Sequence, residues 1–487
     1  MLSFSGAVGS SWNGRTTTSR PVARPSFFSD STARSKRRLP IKHHGQTRSE
    51  KISTLTDATI EGMVTESSDG ATFTATLVDE WIALGLKHAV VAPGSRSTPL
   101  AIALASRYEI DVHVFHDERS AAFCALGIGV STGVPAVVLC TSGTAATHFH
   151  AAVVEAGLSL VPMIVCTADR PPELQGVGAP QTIDQQHLYG SAVRDFLNVD
   201  PQSPSDAPTW RGIARRMWST SRDVLNPGPV HLNLGFREPL VGTVGDLPPR
   251  TADEEVAGVA VSVDTAITTS LASRRGLVVV GEGVQDFDAV ASWLDRLGWP
   301  IVADPRSGLR VTEERLAGAP IISAADPILR SSVMQERLAP EVIVRLGEPP
   351  VSKVVNGWLA NLKVPYIALS RRPIVTNPER CVTHSATGPI ESMLASIGAI
   401  DGLPDEQWIA DWRVAESIAR AVIDQAMVDA PLHEAKVAHL LADQAGDDTV
   451  LMLSSSMPVR DVEWFAGHRN DLRVLCNRGA NGIDGVI

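Results

Sequence analysis

The 487-residue chain has no run of eighteen apolar residues free of Gly, Pro, Ser or charge, so no membrane-spanning helix is expected. It has no C-x-x-C spacing either. Its five cysteines, Cys124, Cys140, Cys166, Cys381 and Cys476, are odd in number, and three fall in apolar strand or helix patterns. They read as buried thiols of a reducing, cytoplasmic compartment rather than a disulfide framework. Positive charge is short: the net of −11 argues against a nucleic-acid partner. Gly281-Glu282-Gly283 lacks the third glycine of a dinucleotide fingerprint, which sets a dehydrogenase aside. No solenoid repeat is present.

The basic residues that do occur are uneven. Residues 1–62 carry ten Lys or Arg against four Asp or Glu, with a cluster at Arg34 to Arg38, leaving 33 basic and 50 acidic residues for the body. This leader is rich in Ser, Thr, Arg and Pro and has no hydrophobic period, so it is expected to be disordered. Its shortage of acids is that of a transit peptide, but it lacks an amphipathic Arg-bearing helix, and Met63 is read as the natural start.

The whole chain is 44% hydrophobic and 20% charged, ordinary for a soluble enzyme of about three domains. From Phe73 onward, strands alternate with single helices, the rhythm of parallel α/β sheets. Predicted strands are Ala89–Ala92, Ile110–His116, Ala136–Cys140 and Val161–Cys166, with helices beginning near Thr76, Leu100, Arg119 and Ala145. Ligands of such sheets bind beyond the carboxyl ends of the strands. Four successive strand ends there present Ser95 and Arg96, Glu118, Thr144, and Arg170. A Gly-rich loop, Gly176 to Gln185, is long enough to reach back over this rim, with Gln181 as its contact.

Glu118 has two readings at this stage. It is a first-turn acid favoured by the helix dipole, or a carboxylate with a raised pKa that trades a proton with a ligand. A Pro, Gly and acid-rich stretch from Val241 to about Gly258 marks a boundary, and a second strand-helix run ends near Ser370. A third segment begins near Asp405 and ends with strands Thr449–Leu453 and Arg473–Cys476.

Pro93-Gly94-Ser95-Arg96-Ser97, Asp117-Glu118-Arg119, Thr141-Ser142-Gly143-Thr144, Ala168 to Leu174, Asn477-Arg478-Gly479 and Gly482-Ile483-Asp484-Gly485 occur in one order. From about residue 73 to 487 this ordered set resembles the MenD family, the thiamine diphosphate enzymes of menaquinone synthesis or 2-succinyl-5-enolpyruvyl-6-hydroxy-3-cyclohexene-1-carboxylate synthases. The resemblance implies three Rossmann-like parallel-sheet α/β domains. These would be a pyrimidine-binding domain at 70–241, a central domain at 256–400, and at 405–487 the N-terminal part of a diphosphate-binding domain, truncated. It also implies thiamine diphosphate and Mg²⁺ as cofactors, and a homodimer or homotetramer with the active site between subunits. The implied reaction decarboxylates 2-oxoglutarate and adds the succinyl carbanion equivalent to isochorismate.

By the same resemblance, Glu118 hydrogen-bonds the pyrimidine ring nitrogen, Thr144 lies at the cofactor, and Ile483 packs beside it. Ser95, Arg96 and Arg170 would hold isochorismate; Gln181, Ser456, Arg460 and Arg478 would hold the oxoglutarate-derived part. Lys353 matches a basic residue that some members aim at the pocket. Both substrates carry two carboxylates, which suits the paired donors of Arg.

Two positions depart from the family. Pro180 stands where many members have Asn. The Gly-Asp motif and downstream Asn that bind Mg²⁺ and diphosphate would fall beyond Ile487, so no metal ligand is assigned, Asp484 included, and the chain as written is expected not to turn over. Two other readings stand beside the first. One is a thiamine decarboxylase of the acetolactate synthase type, against which the Arg at four loop positions argues; the other is a non-catalytic remnant that pairs with a partner.

Overall fold

The computed structural model describes residues 68–200, 206–250, 263–311, 316, 318–397, 404–446, 449–470, 472–477, 479, 480 and 482. Three parallel sheets organise them. The first contains β1 (His88–Val91), β2 (Asp111–Val114), β3 (Ala136–Cys140), β4 (Met163–Asp169), β5 (Phe196–Val199) and β6 (Pro229–Gly235), in the order β2-β1-β3-β4-β6-β5. The second contains β7 (Gly276–Val280), β8 (Ile301–Ala303), β9 (Ile321–Ile322), β10 (Val342–Leu346), β11 (Tyr366–Ser370) and β12 (His384–Thr387), ordered β12-β11-β10-β7-β8-β9. The last pairs β13 (Val450–Leu453) with β14 (Arg473–Cys476). The expected α/β architecture is thus present.

Helices cover both faces of the first sheet, and this explains its continuous apolar strands. Alternate residues of β3 take opposite sides. Val137 and Leu139 pack with Phe73, Trp81, Trp210 and Trp218, while Ala136, Val138 and Cys140 meet Ala121, Phe149 and Val153. Strand order reverses direction between β1 and β3, and in the second sheet between β7 and β10, so a crevice opens at each of those carboxyl edges.

Several elements depart from the sequence reading. Strand β5, helix Ala207–Ser221 and the 24-residue helix Glu406–Asp429 were not anticipated. The helix expected over Ala145–Gly157 is two, Thr144–Thr147 and His150–Ser159. Met457–Phe465 starts a turn earlier than the expected Asp461. Lys353 opens helix Lys353–Asn361 instead of ending a loop, because Ser352 caps it by accepting the Val355 N–H at 3.0 Å.

The C-terminal end of helix Met457–Phe465 is bound by two buried arginines from elsewhere in the chain. Arg310 donates to the carbonyls of Val462 at 3.1 Å, Ala466 at 3.2 Å and Glu463 at 3.0 Å, and to Glu463 Oε2 at 2.7 Å. It also reaches the Ala303 and Ser323 carbonyls, each at 2.9 Å. Arg420 adds bonds to Ala466 O at 2.7 Å and Trp464 O at 3.1 Å. Helix-end carbonyls otherwise without partners are satisfied this way, and cations suit the negative end of the dipole.

Candidate active site

Asp117 caps the helix after β2, accepting the Ser120 N–H at 2.8 Å, and so sets Glu118 as the first residue of helix Glu118–Thr132. Glu118 is half-buried. Among the described residues its carboxylate has no hydrogen-bond or ion-pair partner, and its charge helps burial hold the neighbouring Cys140 thiol well above the usual range. The cap is Asp117, and Glu118 stands in the first turn of the helix with its carboxylate available.

The turn after β1 lies against the turn after β3. A Cβ on Gly94 would come within 2.3 Å of the Thr141 side chain, so only glycine allows this approach. Gly143 has φ 86° and ψ −145°, open to glycine but not to other residues, and precedes Thr144 at the start of its short helix. Gln181 arches back over this turn, its Nε2 donating to Ser142 O at 3.1 Å. The reach predicted for the Gly-rich loop is what is found.

Arg170 Nη1 donates to Ser142 Oγ and, at 3.1 Å, to Gln181 O, while its Nε and Nη2 make no hydrogen bond among the described residues. Arg96 Nη1 donates to Phe236 O at 2.9 Å, and its Nη2 lies 3.4 Å from the exposed Glu238. Each guanidinium is thus half committed to structure. Burial and then the nearby Arg96 charge hold Arg170 below its usual pKa. Two cations in each other's field make a place where an anion relieves repulsion. Ser95 is exposed on the same turn.

The remaining candidates lie elsewhere. Lys353 and Arg460 line one cavity of about 310 Å³ at the β7/β10 edge, with Glu282, Arg306, Glu348 and Arg372. No first-domain candidate lines it. Arg306 bonds Asp304 and Glu282, each at 2.9 Å, and Arg372 bonds Glu348 at 2.8 Å. Lys353 has no such partner among the described residues. Among the described residues Arg460 has one hydrogen-bond contact, to Met457 Sδ at 3.8 Å. Ser456 is exposed at the start of its helix and makes no capping bond. Arg478 and Ile483 lie outside the described residues. Arg306, Glu348 and Arg372 carried no motif of their own; their loops meet only when the second sheet is assembled.

The first-domain residues fit the pyrimidine half of thiamine diphosphate: an unpartnered carboxylate, a glycine turn without a Cβ, and a helix start at one edge. Among the described residues no group of three His, Cys, Asp or Glu could hold a metal ion. No helix of the described residues is long and apolar enough to cross a membrane.

Behind this edge His231 is fully buried, its Nε2 2.8 Å from the Thr167 hydroxyl and its ring 4.7 Å from Tyr189. Burial drops its pKa to about 3. The folded state therefore binds fewer protons than the unfolded one below the ordinary value of 6.5. Stability present above pH 6.5 is lost as pH falls, by about 1.4 kcal/mol per unit toward pH 3. Comparing urea midpoints of the native chain and His231→Phe at pH 7 and 5 checks this: the variant is expected to lose less.

Comparison with known proteins agrees with this geometry. Residues 71–188 match the thiamine pyrophosphate enzyme N-terminal TPP binding domain, and 253–453 match the middle domain of thiamine pyrophosphate enzymes. A 2-succinyl-5-enolpyruvyl-6-hydroxy-3-cyclohexene-1-carboxylate synthase of Listeria innocua is 36% identical over 440 residues, covering 85% of this chain and 74% of that protein. The synthase of Halobacterium salinarum is 38% identical over 453 residues (84% and 74%). That of Saccharopolyspora erythraea is 38% identical over 424 residues (84% and 73%). Identity of this depth over most of both partners, together with the edge built around Glu118, shows that the chain belongs to the 2-succinyl-5-enolpyruvyl-6-hydroxy-3-cyclohexene-1-carboxylate synthase family of thiamine pyrophosphate-dependent enzymes.

Proposed function

We propose that the chain serves the thiamine diphosphate-dependent decarboxylation of 2-oxoglutarate and transfer of the resulting succinyl unit to isochorismate. The cofactor, with Mg²⁺, supplies the nucleophilic carbon. Glu118 holds a proton at the pyrimidine ring nitrogen, and Thr144 and Ile483 flank the cofactor. Ser95, Arg96 and Arg170 orient the carboxylates of isochorismate; Gln181, Ser456, Arg460 and Arg478 take the oxoglutarate-derived part, and Lys353 is the basic residue the central domain aims at the pocket. The domains are divided at 70–241, 256–400 and 405–487, and a second copy of the chain brings the two groups of residues to one site in a cytoplasmic homodimer.

The observation that carries this reading is Arg170 held at the strand edge by Ser142 and Gln181 through Nη1 alone, with its Nε and Nη2 donors unused among the described residues. A pyruvate decarboxylase has no need of it. Isochorismate-dependent release of CO₂ from 2-oxoglutarate tests the proposal, in the chain itself and in a version carrying the family's Gly-Asp segment. Preferential use of pyruvate would sink it. Arg170→Lys, which keeps the charge but loses the planar fork, is expected to raise KM for isochorismate roughly ten- to hundredfold with kcat little changed.

A further inference from the structure

Beneath the rim runs a set of buried polar groups that the proposed chemistry does not use. Gln185 is 1% exposed. Its Oε1 accepts the Gly143 N–H at 2.8 Å, and its Nε2 donates to Ala168 O at 3.2 Å and Asn233 Oδ1 at 2.8 Å. The fully buried Asn233 donates in turn to Asp169 Oδ2 at 2.9 Å and Asn198 Oδ1 at 2.8 Å, and accepts from the Thr167 hydroxyl at 2.7 Å. Both amides use all their hydrogens. Turning either one over would set donor against donor in a dry site.

We propose that Gln185 is the positioning residue of this rim: it fixes the Gly143–Thr144 turn relative to Arg170, and with it the surface offered to cofactor and substrate. The inference rests on the function proposed above. Gly143 has no side chain to pack, so its N–H is what fastens the turn from below. Its neighbour Ser142 takes a donor from Arg170 on the hydroxyl and one from Gln181 on the carbonyl. Thr144 opens the next helix. A shift at Gly143 would therefore move the partner of Arg170 and the start of that helix together. The same amide reaches the end of β4 through Ala168 O, one residue before Asp169, whose Oδ1 accepts the Arg170 N–H at 2.7 Å. One side chain thus ties the turn after β3 to the residue that is to hold substrate.

The test is amide hydrogen exchange on the folded chain together with calorimetric binding of thiamine diphosphate in the presence of Mg²⁺. Gln185→Met, similar in length but without the three bonds, is expected to speed exchange across residues 141–147 roughly ten- to hundredfold. Helix Ala207–Ser221, on the other face of the sheet, should be unchanged. Cofactor affinity should fall at least about tenfold with the same change. If the methionine variant does not fold, Gln185→Glu decides, since it keeps the acceptor for Gly143 but not the donors. There, Gly143 stays protected while 168–175 exchanges roughly fivefold faster. Unaltered exchange at 141–147 in Gln185→Met, or at 168–175 in Gln185→Glu, overturns the lock. Faster exchange with unaltered affinity overturns the positioning role. Absence of thiamine diphosphate binding both in the native chain and in the version carrying the family's Gly-Asp segment counts against the proposed function instead, and the lock is then judged on exchange alone.

Discussion

Arg310→Leu is expected to lower the unfolding free energy by about 3–5 kcal/mol, because it removes the buried donor shared by five backbone carbonyls and Glu463 Oε2. Arg310 is 7% exposed and Glu463 2% exposed, so water cannot replace the lost partner. Burial already pushes the Glu463 carboxyl up to about 8 against the opposing pull of Arg310. Without that pull it rises further, and the acid is buried with neither a cation nor water. The carbonyls of Val462, Glu463 and Ala466 lose donors in the same step. Urea unfolding monitored by tryptophan fluorescence measures the change. The deficit should grow as pH rises through about 8, where the native carboxyl ionises beside Arg310 and the variant's, held higher, does not. A loss below about 1 kcal/mol would mean that the carbonyls find other donors.

Glu118→Gln, made in whichever of the two versions turns over, is expected to reduce turnover by about 10² to 10⁴-fold, the range for losing a positioned proton-transfer group. The amide is nearly the same shape, so the fold should be untouched. Its neighbour provides the contrast. Asp117→Ala removes the bond to the Ser120 N–H and should cost about 1 kcal/mol of stability while leaving turnover within a few fold. Exchange of the cofactor's thiazolium proton, followed by NMR in native and Glu118→Gln protein, separates proton handling from binding. Equal exchange rates in the two would remove Glu118 from the chemistry.

Much of this arrangement was legible in the sequence, for identifiable reasons. Strand ends followed by a capping residue and a small-residue helix, as at Asp117-Glu118, leave few alternatives in a parallel sheet. The long helix Glu406–Asp429 was harder to read because its faces are mixed. It buries Glu416 and Arg420 alongside Trp408 and Trp412, and exposes Val414, Ile418 and Val422. The amphipathic signal is blurred accordingly. The Gln185–Asn233 network hid for a related reason: a polar residue in a strand ordinarily reads as a solvent-facing one, and nothing local reveals that Asn233 sits opposite Thr167 in the β4–β6 pairing and reaches the Asp169 carboxylate. The cavity around Lys353 and Arg306 depends on the order of strands in the second sheet, which is a property of tertiary assembly.

The grip on helix Met457–Phe465 is one-sided. Arg310 and Arg420 anchor its foot, while Ser456 at the tip has no capping bond. A helix held this way at its C-terminal end relays a displacement there along its length toward the uncapped first turn. Changes near Arg310, remote from any substrate, should therefore be felt at Arg460 as a change in aim, and screens for altered substrate length would do well to begin at the anchor.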